Sequence, residues 1–260
     1  MSKILVIGSS HAAALRRALP SITAEFPQHE VTCWTLTARC FNAAVVGPDG
    51  VLTPDPGRPG VRKQALRWNG AESVDLKPFD HILMAGLDQG IDRILNVAAR
   101  LQPVEWGPRA GARAVSLDFL TAALRSIIAA TLAAQSIRIP FDPRFSATPV
   151  PYATQASFAP ALGHAPDAAD VSALPRTADL FALYEHELRA AHLAVGLSFV
   201  PQPRVSLARP WVTQDIYVDP ASADCLHMNA DYGLLAFRDF AASLPALEHS
   251  ARPLARAATH

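Results

Sequence analysis

Cysteine is scarce in this sequence, and its three copies, Cys33, Cys40 and Cys225, are odd in number and fall at no metal-ligand spacing. That pattern excludes a disulfide framework and a zinc site; no metal is expected, and a reducing cytoplasm is the compartment it fits. Net charge is lacking as well, because 23 Lys and Arg balance 23 Asp and Glu. Without a block of basic residues to neutralise a row of phosphates, nucleic acid is excluded as a partner. Half of the residues are hydrophobic, yet no uninterrupted apolar run approaches the roughly 18 residues that a membrane-spanning helix needs, so no membrane span is expected. The opening MSKILVIGSS has an apolar run of only four residues before a glycine, against the roughly 7 to 15 of a secretory signal. It reads as a β-strand.

Three familiar fingerprints are missing too. A G-x-G-x-x-G dinucleotide turn requires glycines where Ser10 and Ala13 stand, which disfavours a Rossmann cofactor site. A G-x-S-x-G elbow requires a second glycine close behind Gly8, and none is near. In YEHELRAAH the histidines His186 and His192 are six apart, do not share a helical face as an H-E-x-x-H pair does, and read as surface residues. No cofactor is called for.

What is present is alternation. Lys3 to Gly8 is a continuously apolar run of the kind that forms a strand buried on both faces of a parallel sheet. HAAALRRAL follows as a helix with Pro20 as its stop signal. Glu30 to Leu36 reads as a second strand, and AAVVGPDGVLTP as a hairpin turning at Pro48, Asp49 and Gly50. Residues 54 to 62 read as loop from their proline and glycine. Phe79 to Gly86 is a further buried strand, followed by a helix presenting Ile91, Leu95, Ala98 and Leu101 on one face. Residues 116 to 135 form a long helix leading to a strand near Ile137 to Ile139, and residues 177 to 195 form another helix, ended by Gly196 before the strand LSFVPQP. A last helix covers about Ala230 to Leu244.

This order predicts an α/β fold: a flavodoxin-like three-layer α/β/α sandwich with a mostly parallel central sheet. A single domain over residues 1–260 is expected, with a hairpin excursion near 43–62 and a long loop insertion near 140–176. Ligands of such sheets sit outside the carboxyl ends of the strands. Three chemically interesting points reach that edge: Ser9 and Ser10, Gly86 to Gln89, and the loop holding Asp224 and His227.

A serine where a central strand turns into a helix has its backbone N–H at the positive end of the helix dipole, so it can both attack a carbonyl and help hold the oxyanion. Attack needs an imidazole to take the proton, and the imidazole needs a carboxylate to orient it. Asp224 and His227, three apart in DCLH, are of the right types. Against this stands the plainer reading of Ser10 as a helix cap and of Asp224 and His227 as solvated loop. His11, next to Ser10, reads as a packing or surface residue whose helical side chain points away from the serine. Cys225 has no independent base and reads as packing.

With IGSSH at its start and DCLH near its end, the chain resembles the SGNH or GDSL hydrolases, whose nucleophile lies in a G-D-S-like block after the first strand and whose last block is D-x-x-H. The resemblance implies Ser10 as nucleophile, His227 as general base and Asp224 as orienting acid, with Ser9 where the family usually has aspartate. It departs at the third block, G-x-N-D, where this chain reads GLDQ and places Asp88 at the position of the oxyanion-donating asparagine. A carboxylate cannot donate there, and losing one such donor costs about 2.7 to 4 kcal/mol of transition-state stabilisation. Gln89 is the candidate replacement, Asn42 a substitute for the second block's glycine, and the Ser10 amide the third donor; Gly47 reads as a turn residue. The resulting expectation is a serine esterase working through an acyl-enzyme, on a small-molecule ester or an acylated carbohydrate. An acyltransferase using the same triad and a noncatalytic ligand-binding protein are the alternatives.

Overall fold

In a computed structural model, the described residues are 1–55, 57–87, 89–136, 138–158, 174–222 and 227–250. Five strands build the central sheet: β1 (Ser2–Gly8), β2 (His29–Thr35), β3 (His81–Leu87), β4 (Phe145–Pro149) and β5 (Ser198–Phe199). Every neighbouring pair is parallel and the order across the sheet is β2-β1-β3-β4-β5. This is the flavodoxin-like order, and the chain reverses its direction of travel across the sheet between β1 and β3. The crevice at their carboxyl ends is therefore where a ligand is expected.

The apolar runs of β1 and β3 are continuous because both faces are covered. Ile4, Val6, Leu83 and Ala85 pack on one side with α1 (Ala13–Glu25) and α6 (Ala230–Ser250). Leu5, Ile7, Ile82 and Met84 pack on the other side with α2 (Pro59–Asn69), α3 (Ile91–Arg100), α4 (Leu117–Ser136) and α5 (Thr177–Ala194). The period-2 alternation of the strands thus sorts neighbouring residues into two cores and makes the three layers. Leu120, Leu124, Ile128 and Leu132 recur every fourth residue of α4 and are all buried. By length and composition α4 is apolar enough to cross a membrane, but that leucine-isoleucine stripe is committed to the protein core.

Several expectations need correction. The first helix does not stop at Pro20: α1 runs through it to Glu25. Proline inside a helix forfeits one backbone bond, and here Ile22, buried two residues later against α6, holds the chain helical beyond it. Residues 59–69, partly assigned to loop, form α2, because Pro59 occupies the first turn, where its missing N–H costs nothing, and Gly70 closes the helix with φ +71°. Of the strand expected near Ile137 to Ile139, Ile137 lies outside the described residues and Arg138 and Ile139 are not in a strand; the fourth strand is Phe145–Pro149, inside the segment read as a loop insertion. The hairpin is present as the antiparallel pair Val45–Val46 and Val51–Thr53, extended by Val74–Asp75 into a small separate sheet.

Candidate active site

β1 ends at Gly8, whose missing Cβ lets it lie against the Ala85 carbonyl: a side-chain carbon there would fall 2.1 Å from that oxygen. The chain then enters a tight 3-10 turn, Ser10–Ala12, that runs directly into α1. Ser9 caps the turn. Its buried hydroxyl donates to the Gly86 carbonyl at 3.2 Å and accepts the His11 N–H at 3.4 Å. The Ser10 hydroxyl is half-buried and has no hydrogen-bond partner among the described residues. The two adjacent serines are therefore distinct: one is consumed by structure and the other is available. Ser10 also opens the turn, where first-turn N–H groups have no intrahelical acceptor and face anions.

Across the switch point, β3 carries a bulge. Ala85 pairs with Thr148 and Leu87 with Pro149, so Gly86 is the extra residue, at φ +72°. Glycine is needed there twice over: for the left-handed backbone, and because a Cβ would come within 2.7 Å of the His11 Cβ and 2.8 Å of the Ser9 hydroxyl. The third-block glycine is thus the floor on which the Ser9 to His11 turn rests.

His227 arrives from the far end of the chain. Its carbonyl accepts the Asp219 N–H at 2.8 Å, Met228 bridges Val218, and the Met228 carbonyl accepts Arg17 of α1 at 2.6 Å while Arg17 also pairs with Asp219 at 2.9 Å. Asn229 then caps α6 by accepting the Tyr232 N–H at 3.1 Å. These bonds fix the backbone of the histidine loop to α1, the helix that starts at the serine turn. The His227 ring stacks on the ring of His11, with centroids 5.2 Å apart and planes within 18°. Its Nδ1 lies 3.3 Å from the Ser222 hydroxyl.

The expected residues therefore fall out unevenly. Ser10 and His227 are brought to the same edge of the sheet, joined through His11, although no hydrogen bond links them; such bonds often tighten only when substrate is bound. Asp224, Cys225 and Asp88 lie outside the described residues. Gln89 follows the end of β3 by two residues and turns its side chain inward. It is buried, 2% exposed, and its Nε2 lies 3.2 Å from Nε2 of His192. Since the His192 Nδ1 lies 2.7 Å from the Leu188 carbonyl, which can only accept, Nδ1 carries the proton and Nε2 accepts from the Gln89 amide. An interior histidine thus takes one of the two N–H groups of that amide. Asn42 is exposed and sits at the rim of a narrow apolar crevice lined by Phe41, Met84 and Leu87.

Two histidine expectations are revised. His192 is fully buried rather than on the surface, and burial pushes its pKa down to about 4, against a smaller upward pull from the Leu188 bond. His186 is exposed, as expected. His11 is turned to the site rather than away from it, because Ser10–Ala12 is a 3-10 turn with other side-chain directions than an α-helix. Ser222 was missed altogether; five residues before His227 in an irregular loop, it carries no periodic signal. Burial pushes the Cys33 thiol up to about 12, which leaves it without nucleophilic thiolate. Among the described residues no cluster of His, Cys, Asp and Glu could hold a metal ion.

No protein-family model matches the chain, and none of the curated proteins is significantly similar to it. Solved structures similar to it include an α/β hydrolase enzyme from the metagenome of Lake Arreo in Spain, at 12% identity and a TM-score of 0.38, covering 95% of this chain and 96% of that one. A GDSL-like lipase from Bacteroides thetaiotaomicron is similar at 12% identity and a TM-score of 0.37, over 96% and 89% of the two chains. An extracellular lipase from Streptomyces rimosus is similar at 12% identity and a TM-score of 0.39, over 96% and 100%. Likenesses this faint leave the chemistry to be argued from the chain's own residues.

Proposed function

We propose that the protein is a serine esterase in which Ser10 is the nucleophile and His227 the general base, with Asp224 as the orienting acid. The observation that carries this reading is the pair of histidine rings that brings the loop of His227 against the turn of Ser10, at the switch point of a parallel sheet. Ser10 attacks the ester carbonyl while His227 takes its proton; the oxyanion is held by the Ser10 N–H at the start of the turn; the alcohol leaves with the proton from His227. Water, deprotonated by the same imidazole, then releases the acid from the acyl-enzyme. Gln89 spends one of its two amide N–H groups on His192, which leaves at most the other for an oxyanion. A small-molecule ester or an acylated carbohydrate is the proposed substrate class, and a sugar hydroxyl in place of water makes the same site an acyltransferase.

A noncatalytic ligand-binding role is the second reading, favoured by the missing Ser10 to His227 hydrogen bond and by the engagement of Gln89. One experiment separates the two. The folded protein is treated with a fluorophosphonate and assayed on a short-chain aryl acetate, alongside Ser10→Ala. The esterase reading expects a label on Ser10 and a rate loss of roughly 10³-fold or more in the variant. Folded protein that takes no label, with a rate equal in both proteins, leaves only the binding role.

A further inference from the structure

We infer that His11 is a positioning residue for His227, fixing the plane of the base through the stacked pair of rings; this rests on His227 being the base of the proposed esterase. A planar ring on a fixed backbone still has two torsions to settle, so it needs one contact at its edge and one on its face. Ser222 supplies the edge contact, 3.3 Å from Nδ1. His11 supplies the face, at 5.2 Å between centroids. Edge and face together settle the plane in which the imidazole of His227 stands.

The platform is itself well held. The His11 N–H bonds the Ser9 hydroxyl, that hydroxyl bonds the Gly86 carbonyl, and the His11 Cβ rests over the bare Cα of Gly86. His11 is thus mounted on the ends of β1 and β3, while His227 lies outside the strands and helices. Stacking couples its side chain to the end of the sheet. It also explains why an imidazole follows Ser10 at a place where helix propensity alone would favour alanine.

The test uses two variants that divide the properties of the ring. His11→Phe keeps an aromatic face and cannot hydrogen-bond; His11→Asn keeps hydrogen bonding and has no aromatic face. With a short-chain aryl acetate, His11→Asn is expected to lower kcat about tenfold with little change in KM, while His11→Phe keeps most of the rate. The ring protons of His227, observed by NMR, should move in His11→Asn because the neighbouring ring current is gone. The same displacement is expected in a Ser10→Ala background, where no turnover occurs. An unmoved His227 resonance in folded His11→Asn overturns the inference, and so does a His11→Phe variant as slow as His11→Asn, which would assign His11 to proton handling. Absence of turnover in the wild type would instead sink the esterase reading, and the NMR comparison would still decide the stack. Should His11→Asn fail to fold, His11→Phe and the wild type decide it, since the phenyl ring must reproduce the displacement that stacking gives.

Discussion

Ser9, Ser10, His11 and Gly86 form one mechanical unit, and Gly86 is the residue on which the other three depend. Alanine at this position must adopt φ +72° and would place its Cβ 2.7 Å from the His11 Cβ. A left-handed conformation costs a non-glycine residue about 1–2 kcal/mol, and overpacking adds about 1–3 kcal/mol. Gly86→Ala is expected to lose at least about 2 kcal/mol of stability on those terms, read from the urea midpoint, and to lose activity more steeply than stability because the serine turn is what gives way. A variant with wild-type midpoint and rate would mean that the bulge is not the floor of the site. Little of this unit is legible in the sequence. IGSSH and DCLH mark the two ends of the site, but which serine is free depends on a hydrogen bond to the Gly86 carbonyl, distant along the chain. The direction of His11 depends on three residues being 3-10 rather than α, a distinction that Ala-rich composition does not encode.

Strands and helices were more legible, and the exceptions have physical causes. β1 and β3 announce themselves because a strand covered on both faces must be apolar throughout. β4 hides because Ser146 and Thr148 put hydroxyls into its buried run, and Phe145–Pro149 ends in a residue that reads as loop. α1 outlasts Pro20 because tertiary packing outweighs one lost backbone bond. The partner in that packing is α6, and the two helices touch at Gly233, where an added Cβ would lie 2.2 Å from the Ala14 carbonyl oxygen. Backbone cannot yield as a flexible side chain can, so Gly233→Ala should force the helices apart at a cost of roughly 1–3 kcal/mol. Because Met228 and Asn229 lead directly into α6, the proposed activity on an aryl acetate should fall together with the thermal midpoint. A lower midpoint with unchanged kcat would show that the loop of His227 is positioned independently of the helix pair.

Across the whole molecule, the strand order explains why Ser10 and Gly86 meet at the switch point, and the helices on one face of the sheet bind to the chain just beyond it. Just beyond the end of β3, which carries Gly86, Gln89 ties the chain to His192 on α5, a contact in which the histidine must be neutral with its proton on Nδ1. That requirement makes a global prediction about pH. In the unfolded chain His192 protonates near the ordinary 6.5, whereas in the folded protein burial holds it near about 4. As pH falls, the unfolded state takes the proton first. The stabilisation is therefore complete above pH 6.5 and is lost progressively down to about 4. The interval corresponds to roughly 3 kcal/mol. Urea unfolding should accordingly show the wild type losing stability relative to His192→Gln, which cannot titrate, as pH falls from 6.5 to 4. Parallel profiles over that range would mean that His192 is reached by protons without unfolding. The proposed site would then be held without His192, by the Ser9 bond to Gly86, the stack of His11 on His227 and the Arg17 contacts.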